Sequence, residues 1–275
     1  MTLTSFARRG LALALLALAG LPLGAQAHRA WLLPSATVLS GNEPWVTVDA
    51  AVSTDLFFAD HTPLRLDGLV IVAPSGELVQ ADNVATGKLR SSFDLKLAQP
   101  GTYKLTVVGD SLFATWKQGT ETKRWRGSAD AIAREVPADA QELRVTRAQS
   151  RSEAFVTAGK PSQRALQPSG VGLELVPQTH PNDLVAGQGA SFVFVLDGKP
   201  AAGLEVTVIQ GGIRYRDKLG ETLLKTDHDG RVTVNWPAAG VYWISATHGA
   251  RGEGGSVAQP ARRLSYSATF EVLPQ

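Results

Sequence analysis

The chain of 275 residues carries 27 basic and 25 acidic side chains, five histidines, one methionine and no cysteine. Disulfides, thiolate metal sites, Fe–S clusters and cysteine nucleophiles are thereby excluded, and no thioether remains beyond Met1 to hold Cu(I). Any metal must bind through imidazole, carboxylate, amine or carbonyl groups.

Residues 1–27 read as an export signal. Arg8 and Arg9 form a positive start, Leu11 to Leu23 is nearly unbroken Leu/Ala, and Ala25-Gln26-Ala27 supplies a small-x-small cleavage pattern. The apolar run falls short of the roughly 20 residues that span a bilayer. Cleavage after Ala27 predicts an exported chain, periplasmic in a bacterium, with no membrane span left and with His28 as its first residue. It also removes two arginines and no acid, leaving 25 charges of each sign. A balanced chain offers no electrostatic reason to bind nucleic acid or anionic lipid.

Behind His28, Trp31-Leu32-Leu33-Pro34 is apolar enough to anchor a terminus. From there the pattern is β. Trp45–Val52, Leu69–Val72, Phe93–Leu97 and Pro100–Val108 alternate with period two between Pro/Gly/Asn/Asp turns, which predicts an Ig-like sandwich over 28–157. The charged stretch 117–140 interrupts this rhythm. It is expected to be a long surface excursion, with a short helix at 129–135 ahead of Pro137. A Pro/Ser/Gly-rich segment, 158–170, reads as a linker. A second strand series over 171–275 (Leu173–Val176, Ser191–Leu196, Leu204–Ile209, Arg231–Trp236, Val241–Ala246, Ser265–Val272) predicts a second, prealbumin-like sandwich. The fold class is therefore all-β, as two consecutive sandwiches.

Chemistry rests on the histidines. A terminal His28 would offer its α-amine and ring Nδ1 to one ion, and a second imidazole would complete a nitrogen set suited to tetragonal Cu(II) or Ni(II). His61 lies in Asp55-Leu-Phe-Phe-Ala-Asp-His-Thr-Pro63, where Asp60 and His61 form a candidate ligand pair. The alternative is a turn in which Asp60 caps backbone donors and His61 is solvated. His248 ends the strand Tyr242–Thr247 before a Gly-rich loop, from which it could reach a neighbour. His180 fits packing at the junction of the halves. His228 faces water in the turn Thr226–Gly230, which lacks the acidic series of a calcium loop. The expected metal ligands are thus His28, His61, His248 and Asp60. No H-E-x-x-H, G-x-S-x-G, phosphate-binding loop or dinucleotide fingerprint is present, so no enzyme is expected.

The stretches "AHRAWLLPS", "PSGVGLELVPQTHPNDLVAGQGASFVFVLDGKPAAGLEVTV" and "KTDHDGRVTVNWPAAGVYWISA" resemble an exported domain-of-unknown-function family described as the periplasmic component of cobalt/nickel-type ABC uptake systems. The "GKPAAGLEVTV…TDHDG" portion is similar to prealbumin-like and carboxypeptidase-regulatory-like sandwiches. The resemblance implies capture of nickel or cobalt for an inner-membrane importer, or in concert with an outer-membrane receptor. It reaches residue level only at His28. Three other readings stay open: a periplasmic Cu(II) carrier, a metal-free Ig-like module contacting an envelope partner, and a copper monooxygenase built on a terminal histidine, for which the required flat aromatic face is not identifiable.

Overall fold

The computed structural model describes residues 28–249 and 252–275; the export signal expected over 1–27 lies outside them. The chain runs through β1 (Arg29–Pro34), β2 (Val38–Leu39), β3 (Trp45–Ser53), β4 (Thr62–Pro63), β5 (Leu69–Val72), β6 (Leu78–Val79), β7 (Asp82–Thr86) and β8 (Ser91–Lys96). It continues through β9 (Gly101–Gln118), β10 (Glu121–Gly127), helix α1 (Ala129–Glu135) and β11 (Gln141–Ala158). The second half holds β12 (Leu173–Pro177), β13 (Gly189–Leu196), β14 (Lys199–Pro200), β15 (Glu205–Gln210), β16 (Thr222–Lys225), β17 (Arg231–Asn235), β18 (Gly240–His248) and β19 (Ala261–Val272). No helix among the described residues is long and apolar enough to cross a membrane.

The all-β sandwich architecture expected from the alternation is the one adopted, and its two cores share a sheet. Ten strands form a central sheet in the order β16-β15-β18-β19-β11-β9-β5-β6, with β10 on β9 and β2 on β11. The halves meet where β11 runs parallel to β19, Thr146 to Ala154 against Ala261 to Thr269. A five-stranded sheet (β1-β3-β8-β7, with β4 on β3) and a four-stranded sheet (β12-β13-β14, with β17 on β13) complete the fold. Side chains alternate across a strand, and on β11 the two parities feed different cores. Ala154, Val156 and Ala158 join Leu32, Val48, Phe93 and Leu105 in the first. Phe155, from the other face, joins Phe192, Phe194, Trp236 and Phe270 in the second. The smaller sheets therefore cover opposite faces of the central one, at opposite ends. This explains why Ser152 to Ala158 are buried without a break: a strand covered on both sides loses its polar alternation.

The stretch 117–140 is more ordered than a loop. β10 pairs with β9 from Glu121↔Gln118 to Gly127↔Leu112, extending the central sheet as a hairpin. Helix α1 forms where expected and buries Ile132 with Leu112, Ala114 and Val145. Within 158–170, a single turn at Arg164–Leu166 buries Ala165 and Leu166.

His180 packs at the junction. Its Nε2 lies 3.0 Å from the Thr102 hydroxyl and 3.2 Å from the Ser162 carbonyl. Its Nδ1 accepts the Asn182 N–H at 3.2 Å, which leaves the ring proton on Nε2. Burial holds its pKa below the ordinary imidazole value, against the pull of the Ser162 carbonyl and Asp183. A histidine depressed in the folded state binds its proton more readily unfolded. Its contribution is thus present above the unfolded value of about 6.5 and is lost as pH falls through the folded one. Between about pH 7.5 and about pH 5 the protein should lose more stability than its His180→Gln variant, read from urea midpoints. Equal losses would exclude this assignment.

Candidate metal centre

The site is built from β1 outward. Trp31 is 2 % exposed and Leu32 fully buried; the Trp31 indole N–H donates to Ser53 Oγ at 2.7 Å, and its ring meets Phe57 edge-on at 5.8 Å. One residue earlier, the Ala30 carbonyl accepts two hydrogen bonds from the central sheet, from Trp243 Nε1 at 2.9 Å and Ser267 Oγ at 3.1 Å. The apolar anchor predicted behind His28 thus exists, reinforced by two donors more than 200 positions away in the chain. His28 itself is exposed, immediately ahead of the fixed strand.

His61 arrives from the other side of β3. β1 pairs Arg29 with Ser53, and β4 pairs Thr62 with Val52, so both histidines emerge at the same end of that strand. Their rings stack there, with centroids 3.7 Å apart and planes within 10°. The connecting loop is held by Asp60, whose two carboxylate oxygens accept the N–H groups of Thr54 at 2.9 Å and Asp55 at 3.0 Å. Burial works against the Asp60 charge. The N–H groups of Asp55, Thr54 and Asp60 itself, together with neighbouring His61, outweigh it and hold the carboxyl below the usual range. Asp60, expected as a ligand, is occupied as the cap that sets the position of His61.

Charges of both signs surround the pair. Glu221 and Asp55 face the Arg29 guanidinium, which donates to the Thr54 carbonyl at 2.8 Å, and Asp60 lies beside His61; Arg214 stacks on the Phe58 ring of the same loop at 4.5 Å. Stacked imidazoles point their in-plane lone pairs in parallel. Two ring nitrogens converge on one ion only after a turn about the side-chain torsions, and both side chains are exposed enough to make it.

The remaining histidines lie elsewhere. His248 shares the parity of Tyr242, Ile244 and Ala246, which face the second core, whereas Trp243 turns to the His28 side. It lines a separate concavity with Pro200 and Leu204 and sits within electrostatic reach of Asp197, which Arg262 and the Gly172 N–H chiefly hold at about 2. The expectation that His248 joins His28 is corrected by this alternation. His228, flanked by Asp227 and Asp229, forms an exposed trio in a turn, where Asp227 Oδ1 already caps the N–H groups of Asp229 and Arg231. Trp243, Ser267, Asp55 and Glu221 carried no sequence signal for this site, because only tertiary pairing brings them to it.

Fold and site define an all-β double sandwich with an exposed imidazole pair at the start of its first strand. The chain matches the family described as a domain of unknown function, DUF4198, over residues 25–250, and it belongs to that family. No curated protein matches it. Among solved structures it is similar to the D0-D1 domain of Intimin, at 14 % identity over 88 % of this chain and 97 % of that one, TM-score 0.20. It is also similar to the human OSCAR ligand-binding domain, at 12 % identity over 90 % and 100 %, TM-score 0.21. A third likeness is a DUF4785 family protein from Legionella pneumophila, at 9 % identity over 84 % and 54 %, TM-score 0.24. Superpositions this loose carry no inference about function.

Proposed function

We propose that this protein is exported to the periplasm and there captures a divalent transition ion, nickel or cobalt, for uptake by an inner-membrane importer. The observation that carries the reading is the contact between the His28 and His61 rings, 33 positions apart in the chain. Removal of the leader after Ala27 adds the His28 α-amine, so that three nitrogens can reach one ion once the rings turn about their side-chain torsions. The Asp60 carboxylate beside His61 favours a cation there. Protons compete for the same nitrogens, so uptake weakens with acidity. Nitrogen ligands favour Cu(II) over nickel and cobalt by intrinsic order, and a Cu(II) carrier is the second reading; supply and geometry then decide which ion is carried.

Calorimetric titration of the chain beginning at His28 with Ni(II), Co(II), Cu(II) and Zn(II) tests the proposal. One ion should bind per chain, more weakly when an extra alanine precedes His28 and blocks its amine. Absence of uptake of every ion at micromolar concentration excludes the reading. Equal binding by the two chains excludes the amine as a ligand.

A further inference from the structure

Because the smaller sheets cover opposite faces of the central one, part of each face stays bare. Next to β1 the bare face belongs to β15, β18 and β19 with the adjoining parts of β11 and β9. The side chains on this face are mostly short hydroxyls. One cross-strand row reads Thr207, Ser245, Ser267, Ser152, of which Ser267 and Ser152 are buried and bonded to each other at 2.9 Å. The next reads Thr247, Ser265, Ser150, Gly109. Short side chains leave a trough instead of a filled surface. Two concavities of about 500 and about 430 Å³ share Ser150, Arg263 and Ser265 and so form one channel. Each falls within the range of small-molecule sites, about 300–1,000 Å³. At about 4.8 Å between neighbouring strands, the channel crosses about 14 Å from β18 to β9.

Its two ends differ in chemistry. The near end, beside the imidazole pair, holds His28 and one acid, Glu221, together with Arg29 and Arg151. Arg126, stacked 5.2 Å from the Phe113 ring, and Arg263 line the far end, where no described lining residue is acidic. Between them the hydroxyls of Ser150 and Ser265 can donate or accept. A guanidinium fork matches a carboxylate in plane, with two parallel hydrogen bonds. An occupant that suits imidazole at one end and guanidinium groups along the walls is a dication held by carboxylates, with oxygen atoms along its length.

We propose that the trough binds the ion together with an organic carboxylate chelator. The metal sits at His28 and His61, and carboxylate oxygens not used by the metal lie along the hydroxyl rows toward Arg263. The inference rests on the metal reading above and names the form in which the ion arrives. Nitrogen ligands from His28 and His61 leave further coordination positions on a divalent ion, and the chelator fills them from the trough side.

Equilibrium dialysis of the chain beginning at His28 against Ni(II), radiolabelled citrate, and both together separates the two ideas. Citrate should be retained one per chain only with nickel present. Ser265→Trp fills the trough from an exposed position, and should cut citrate retention at least tenfold while uptake of Ni(II) alone is unchanged. Arg263→Ala leaves the trough open and should cut citrate retention at least threefold. If the protein takes up nickel and leaves citrate in solution, or if the Ser265→Trp variant retains citrate fully, the trough proposal falls and the metal site stands. If neither nickel nor its citrate complex is retained, both fall.

Discussion

Replacing His61 with alanine in the chain that begins at His28 should lower its affinity for Ni(II) at least a hundredfold, about 2.8 kcal/mol at 1.4 kcal/mol per factor of ten. The size follows from what is removed. An ion held by the amine and ring of His28 loses its one ligand from another part of the chain, and the two-nitrogen fragment left behind resembles a free amino-terminal histidine. The fold should be indifferent, because His61 is exposed and its loop is held by Asp60 on the N–H groups of Thr54 and Asp55. His248→Ala should change affinity by less than a factor of two, since that ring faces the other side of the sheet. Calorimetry on the three proteins decides the matter. An undiminished His61→Ala variant would show that the stacked rings are only neighbours.

The second large effect is on stability. Glu153→Ala should cost about 3–5 kcal/mol, the usual penalty for removing one member of a buried charged network. Glu153 is 2 % exposed. It accepts the Tyr266 hydroxyl at 2.8 Å, the Thr106 hydroxyl at 3.2 Å and Arg151 Nη1 at 3.3 Å, while Arg151 Nη2 lies 3.5 Å from Glu174. Alanine leaves the buried Tyr266 and Thr106 hydroxyls without this acceptor. Glu153→Gln, which keeps an acceptor for Tyr266, should cost less. Burial and the Glu153 charge already push the Tyr266 phenol well above its ordinary pKa, so it serves as a donor across the working range. Urea unfolding followed by tryptophan fluorescence and by far-ultraviolet circular dichroism provides the measurement. The two signals should shift together, because β11 is common to both cores. An unchanged midpoint would mean that water satisfies the network.

Much of this was legible from the chain because period-two alternation is a local property. The strands about Trp45, Leu69, Tyr103, Phe192 and Tyr242 follow from it, as does the anchor at Trp31-Leu32. Helix α1 was marked by its composition and by Pro137. The meeting of His28 and His61 was suggested by chemistry alone: two imidazoles in structured surroundings within a chain that has few. What remained hidden depends on partners distant in sequence. The parallel register of β11 with β19 joins segments 115 positions apart, as in Ser152 and Ser267, and no local pattern encodes it. The hairpin of β9 and β10 was obscured because its outer positions are charged, although Gly119 marked the turn and Lys123 and Trp125 kept the alternation. The error at His248 has a similar cause. Its parity with Tyr242 was readable, but not which side of the sheet β1 would occupy.

The strand covered on both sides has a mechanical consequence. Many binding proteins take their cargo by swinging two lobes shut about a hinge, and release it by opening again. Here the lobes are welded through a common β11, so no such clamshell motion is available. On the proposed metal-binding function, release would come instead from chemistry at the exposed rings, by acid or by a stronger competing ligand.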